Sequence, residues 1–154
     1  MRNCVTKSDL CATISSTLRG SDVITVDDLR ILVIDDEDFV RRIIVQILNR
    51  LKIRKVSEAQ DGAEGLKKTL IVKPHLVLCD IHMEPVDGMK YLSTIRGVNQ
   101  PEIARTPVIF LTSDAGQEKV MRAKELRVSG YMVKPVSVND VKKQINRVLG
   151  VEFP

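Results

Sequence analysis

The chain has 154 residues, enough for one domain with a core of its own. It is 44% hydrophobic but only 3% aromatic, with no tryptophan, so its interior must be aliphatic, as suits a Val-, Ile- and Leu-rich parallel sheet covered by helices. The formal charge of +4 comes from 24 basic and 20 acidic residues interleaved along several segments, which leaves no basic stripe for nucleic acid, and no apolar stretch is long enough to span a membrane.

The three cysteines, Cys4, Cys11 and Cys79, lack metal-ligand spacing with one another or with the two histidines. Cys79 lies inside an apolar run, where a free thiol behaves as a small hydrophobe. With scattered charges and no apolar leader-like run near its start, the chain is expected in a reducing, cytoplasmic setting.

Residues 1–28 are rich in Ser and Thr and lack strong periodicity. They read as a partly mobile extension. One short helix fits, with Ser8 as N-cap, Leu10, Ile14 and Leu18 on one face and Gly20 past its end; a docking role for it is the alternative. The first strong strand is Ile31–Ile34, and it runs into Asp35, Asp36, Glu37 and Asp38. That acidic cluster opens a helix, where the dipole favours negative charge. Val40, Ile43, Ile44, Ile47, Leu48 and Leu51 form its inward face, and Arg41, Arg42, Gln46 and Arg50 fall on the solvent side.

Lys55–Ala59 is a weaker second strand, and Asp61-Gly62 turns the chain into a helix from Ala63 to about Val72 with Leu66 and Leu70 inward. Pro74 and His75, the latter read as a surface residue, precede the third strand, Leu76–Asp80. This strand is apolar without alternation, as a strand buried on both faces should be, and it ends in a carboxylate. Residues 81–88 form a long loop and Met89–Ile95 a helix. Gly97–Thr106 reads as a polar surface loop. Pro107–Leu111 is the fourth strand, followed by Thr112, Ser113 and Asp114, and an amphipathic helix covers Gln117–Val128. Gly130–Val133 is the fifth strand, ending in Lys134-Pro135. The last helix, capped by Ser137, Asn139 or Asp140, carries Val141, Ile145, Val148 and Leu149 on its apolar side. Residues 29–150 thus form one domain, and 151–154 are a short tail.

Five strands, each followed by a helix, imply a parallel sheet with crossover helices. All strand C-termini then lie on one edge, where such sheets bind ligands. Asp35-Asp36, Asp80, Thr112 and Lys134 all fall there. Polar residues are ordinary at any single strand end. As a set, three carboxylates repel and raise one another's pKa, which a hard cation such as Mg²⁺ relieves. A carboxylate so placed can attack phosphorus, an adjacent lysine can offset charge on the transferred group, and a hydroxyl such as that of Thr112 can bond a phosphoryl oxygen.

Those residues and their order resemble the receiver domain of two-component response regulators: Ile34-Asp35-Asp36-Glu37, Leu78-Cys79-Asp80, Met83 with Pro85 and Asp87-Gly88, Leu111-Thr112-Ser113, and Gly130-Tyr131-Met132-Val133-Lys134-Pro135. The resemblance covers about residues 29–150 and implies a flavodoxin-like, doubly wound α/β fold with strand order 2-1-3-4-5 and helices on both faces. It implies Asp80 as phosphoacceptor, Mg²⁺ held by Asp36, by Asp35 largely through water, by Asp80 and by the backbone carbonyl of His82, and Thr112 and Lys134 on the phosphoryl group. Tyr131 would be the switch aromatic; its plain alternative is an edge-strand ring packed on a helix. The Lys134-Pro135 bond would be cis. The chain departs from many members in placing Glu84 between Met83 and Pro85, and its residues His82 and Asp114 occupy variable positions.

The implied function is that of a single-domain response regulator. Asp80 would accept a phosphoryl group from a sensor histidine kinase or a His-phosphotransfer protein. The switch would then act on a downstream target through the face made by the fourth helix, fifth strand and last helix. It would be a signalling switch and no turnover enzyme, without nucleic-acid or membrane partners, and a monomer, with a dimer as the alternative. A phosphorelay shuttle is the main alternative function. A haloacid-dehalogenase-like phosphohydrolase is less favoured, because that family has a second Asp two residues beyond the first, where this chain has His82. A nucleotide-binding protein lacks its Gly-rich loop here, and a phosphorylation-independent interaction module would not need the intact acidic set.

Overall fold

The structure, a computed structural model, describes residues 24–113 and 122–154. Strands β1 (Arg30–Ile34), β2 (Lys55–Ala59), β3 (Leu76–Asp80), β4 (Val108–Thr112) and β5 (Gly130–Val133) form one sheet in the order β2-β1-β3-β4-β5. Every pair is parallel. Helices α1 (Asp38–Arg50), α2 (Gly62–Val72) and α3 (Gly88–Arg96) follow the first three strands. Residues 122–125 are helical and belong to α4, and α5 spans Val138–Leu149. The helix expected over residues 8–20, and the first part of the one expected over 117–128, lie outside the described residues.

The central strands β1, β3 and β4 are buried almost throughout, and their alternate residues feed two separate cores. Ile31, Val33, Leu76, Leu78, Ile109 and Leu111 face the layer containing α1 and α5. Leu32, Val77, Cys79, Val108 and Phe110 face the layer containing α3 and α4. Each fully buried aliphatic side chain contributes about 1.5–3 kcal/mol to folding, and this two-sided burial explains why the sequence of β3 shows no alternation. At the chain's described start, a 3₁₀ turn at Val26–Asp28 precedes β1, and Ile24 and Val26 pack on the first core. At its end Val151 is buried and Phe153 packs on the same core.

Several readings of exposure are corrected. Arg41, assigned to the solvent side of α1, is buried, while Ile43, assigned inward, is exposed. Periodicity treats arginine as a solvent residue, but Arg41 finds acidic and carbonyl partners that compensate its charge. On α2 the buried positions are Gly62, Gly65 and Thr69, and Leu70 is exposed. Small residues face inward because the helix lies close to the sheet: a Cβ on Gly65 would sit 2.4 Å from Cδ1 of Ile34. Residues 97–106 are not simply a surface loop. They contain a helical turn at Pro101–Ala104 with Ile103 and Thr106 buried, and Arg96 donates to the carbonyls of Ala104 and Thr106. His75 is half-buried, and its Nδ1 accepts the N–H of Arg30 at 3.0 Å. Of the three residues considered as cap for the last helix, Ser137 serves, in a reciprocal capping box with Asp140.

Candidate functional site

Strand register assembles the site. Ile34 stands opposite Cys79, so the next residues, Asp35 and Asp80, leave the sheet at one level. Asp80 pairs with Leu111, one residue before Thr112, and the backbone N–H of Lys134 donates to the carbonyl of Thr112 at 2.8 Å. Four strands therefore deliver Asp35, Asp80, Thr112 and Lys134 to the C-terminal edge of the sheet. The residues that turn the chain away from this edge hold it in place. Gly88 approaches so closely that a Cβ there would lie 2.3 Å from the carbonyl oxygen of Asp80. Asp87 caps α3 by accepting the N–H of Lys90. Both the Glu84-Pro85 and Lys134-Pro135 bonds are cis.

The side chains converge around the Lys134 ammonium. Its Nζ lies 2.9 Å from Oδ2 of Asp35, 3.4 Å from Oδ1 of Asp80 and 3.9 Å from Oε1 of Glu37. Asp35 is wholly buried, and its Oδ1 also accepts the backbone N–H of Glu37 at 2.9 Å. Burial raises the Asp80 carboxyl above the usual range; the Lys134 charge opposes this, and the charges of Asp35 and Asp36 add to it. For Lys134, burial acts to lower the pKa, but the hydrogen bond and charge of Asp35 together with the charge of Asp80 outweigh it, so the ammonium persists above its ordinary value. Cys79, directly before Asp80, is a fully buried thiol pushed well up by burial and by the Asp80 charge, and it packs as a core residue.

One carboxylate oxygen from each of Asp35, Asp36, Glu37 and Asp80 lies within 4.8 Å of the others. Opposite ligands of an octahedral Mg²⁺ stand about 4.2 Å apart, twice the Mg–O distance; the cluster is of similar size, and its all-oxygen donor set is of the kind that ion takes. Four carboxylates against one ammonium leave the cluster short of positive charge. Glu37 was not among the metal residues inferred from sequence, although its position directly after Asp35-Asp36 was the available signal. The side chain of His82 is exposed and lines, with Asp36, Met83, Glu84, Pro85 and Asp87, an open cleft of about 620 Å³ beside the cluster. Tyr131 is the residue inferred as the switch aromatic. It sits half-buried on β5, opposite Phe110, with the two rings 6.0 Å apart and tilted by 52°.

The fold and the pocket define a flavodoxin-like α/β protein that carries, at the C-terminal edge of its sheet, a carboxylate cluster that could hold a metal ion. Residues 31–146 match the family model described as the response regulator receiver domain, so the chain belongs to that family and to two-component signalling. Chemotaxis protein CheY-3 of Vibrio cholerae is 29% identical over 121 residues, which cover 79% of this chain and 92% of that protein. The solved structure of CheY4 from Vibrio cholerae matches with a TM-score of 0.72 at 26% identity, covering 79% of this chain and 98% of the other. The response regulator domain of CheB from Thermotoga maritima matches with a TM-score of 0.69 at 25% identity, covering 80% and 98%.

Proposed function

We propose that Asp80 accepts a phosphoryl group and that the resulting acyl phosphate switches the protein between two binding states. The placement of the Asp80 carboxylate at a buried strand end, 3.4 Å from Lys134 and clustered with three further carboxylates, carries this reading. The donor is a phosphohistidine on a sensor kinase or phosphotransfer protein. A carboxylate oxygen of Asp80 bonds to phosphorus as the P–N bond breaks, and the electron pair of that bond leaves with the imidazole. Lys134 stands beside the developing charge on the phosphoryl oxygens, and the hydroxyl of Thr112 donates to one of them. Asp35, Asp36, Glu37 and Asp80 would hold Mg²⁺, with the carbonyl of His82 as a further ligand. When bound, that ion supplies positive charge against the carboxylates and the phosphoryl oxygens.

Phosphorylation then draws on Thr112, and Tyr131 on the neighbouring edge strand follows, biasing the α4–β5–α5 face toward a target protein. The protein acts in the cytoplasm as a switch; among the described residues no helix is long and apolar enough to cross a membrane. His82 stands two residues beyond Asp80, where a haloacid-dehalogenase-type hydrolase would need its second Asp, and this disfavours that chemistry. The test is incubation with a small acyl-phosphate donor and Mg²⁺, followed by mass measurement. One phosphoryl group is expected on the wild type and none on Asp80→Asn; equal labelling of both proteins would overturn the assignment.

A further inference from the structure

The side chain of Arg41 has a position that the helical pattern does not explain. It projects from the first turns of α1, yet it is only 8% exposed. Its guanidinium reaches three segments at once. Nη2 bonds Asp38 Oδ1 at 2.6 Å on its own helix, and Nε bonds Glu58 Oε2 at 2.9 Å near the end of β2. Nη1 donates to the backbone carbonyl of Asp35 at 2.8 Å.

The last contact bears on the site. The Asp35 carbonyl belongs to the planar peptide unit that joins Asp35 to Asp36. On its other side Asp35 donates its own N–H to the carbonyl of Ala59 at 3.1 Å, on β2. The peptide between the two aspartates is thus fixed by Arg41, and the residue before it by the neighbouring strand. Because the unit is rigid, its orientation sets the directions in which the Asp35 and Asp36 side chains leave the backbone. The positive charge of Arg41 is matched by Asp38 and Glu58, two carboxylates outside the cation cluster. Its effect on the cluster is therefore one of placement.

We propose that Arg41 is a positioning residue for the acidic pocket: by holding the Asp35–Asp36 peptide it sets the affinity of the site for a divalent cation. This rests on the reading of the pocket as a Mg²⁺ site. Outer partners that orient metal ligands are worth about 10- to 100-fold in affinity. The sign separates placement from charge. If Arg41 acted chiefly as a nearby cation, its removal would tighten Mg²⁺ binding; if it orients the ligands, removal weakens it. Lysine cannot restore the contacts, because a single ammonium does not reproduce the three-way fork.

The experiment is calorimetric titration of Mg²⁺ into the full chain as wild type, Arg41→Met, Arg41→Lys and Glu58→Ala, with urea unfolding of each to establish that the titrated protein is folded. Arg41→Met should weaken Mg²⁺ binding about tenfold or more. Arg41→Lys should weaken it nearly as much despite keeping the charge. Glu58→Ala, which leaves Arg41 in place with one hold fewer, should weaken it a fewfold. Unchanged or tighter binding by a folded Arg41→Met protein overturns the inference while leaving the pocket's function intact. If that variant does not fold, wild-type affinity in both Arg41→Lys and Glu58→Ala overturns it equally. A wild type that takes up no Mg²⁺ would overturn the reading of the pocket itself.

Discussion

Lys134 is the cation around which the pocket's carboxylates are arranged. Its ion pair with the wholly buried Asp35 has little solvent around it. Removing one partner of a buried pair leaves the other charge uncompensated, at a cost of about 3 kcal/mol. Lys134→Met should therefore lower stability by about that amount in the presence of a chelator. It should also bind Mg²⁺ more tightly than wild type, because a competing positive charge is gone, so that added Mg²⁺ restores much of the loss. Urea unfolding with and without Mg²⁺ measures both effects; an equal deficit in the two conditions would contradict this account. His75 acts far from that pocket. Its Nδ1 accepts a backbone N–H and so must carry no proton in the folded state, and burial lowers its pKa, with Arg30 and Lys55 adding to the effect and Asp28 opposing it. The unfolded chain then takes up a proton more readily than the folded one. The stability from this contact is present above the unfolded value of about 6.5 and is lost as pH falls toward the folded value. His75→Asn, which can keep an acceptor near Nδ1, should flatten that part of the pH dependence of the urea midpoint. At this scale the strand-end residues Asp35, Asp36, Asp80, Thr112 and Lys134 were legible because parallel topology alone sends them to one edge. Arg41 was not, because its burial depends on partners from three different segments.

At the level of elements, the strands were the most readable part. β2, β3 and β5 have the boundaries their sequences imply, since a continuous apolar run or a turn residue marks each end. Helix faces were less readable where close approach to the sheet favours small residues. On α2 the leucine spacing points Leu66 and Leu70 inward, but only Leu66 of the two packs against the core, and the fully buried positions are Gly62, Gly65 and Thr69. The same closeness makes Gly88 sensitive. A methyl group there meets the backbone of Asp80 and Ile81, and neither can move aside without shifting the carboxylate. Gly88→Ala should lower stability by about 1–3 kcal/mol, as overpacking does, and slow phosphorylation of the protein that remains folded. Labelling rates measured at saturating Mg²⁺ test this. A variant that is destabilised yet labelled at the wild-type rate would show that the Asp80 backbone can adjust.

For the molecule as a whole, the aliphatic composition and strand–helix alternation were enough to give the sheet order, because parallel neighbours need crossover helices and these bury both faces. What composition could not convey is that, among the described residues, the two faces of the sheet hold separate cores. Between the Asp80 edge and β5 stands β4, with Thr112 the ladder partner of Val133 and Phe110 that of Tyr131. The placement of the two tyrosines also has an optical consequence. Tyr91 is sealed in the core with its hydroxyl bonded to Thr69 at 2.7 Å, while Tyr131 lies half-buried on the edge strand. With no tryptophan in the chain to dominate emission, the fluorescence comes from these two tyrosines in different surroundings. Beryllofluoride with Mg²⁺ should change the tyrosine emission of the wild type and leave that of Tyr131→Phe constant; the same change in both would place the movement elsewhere. A change confined to the wild type would make Tyr131 a built-in reporter, an unmodified chromophore that follows the proposed switch in real time.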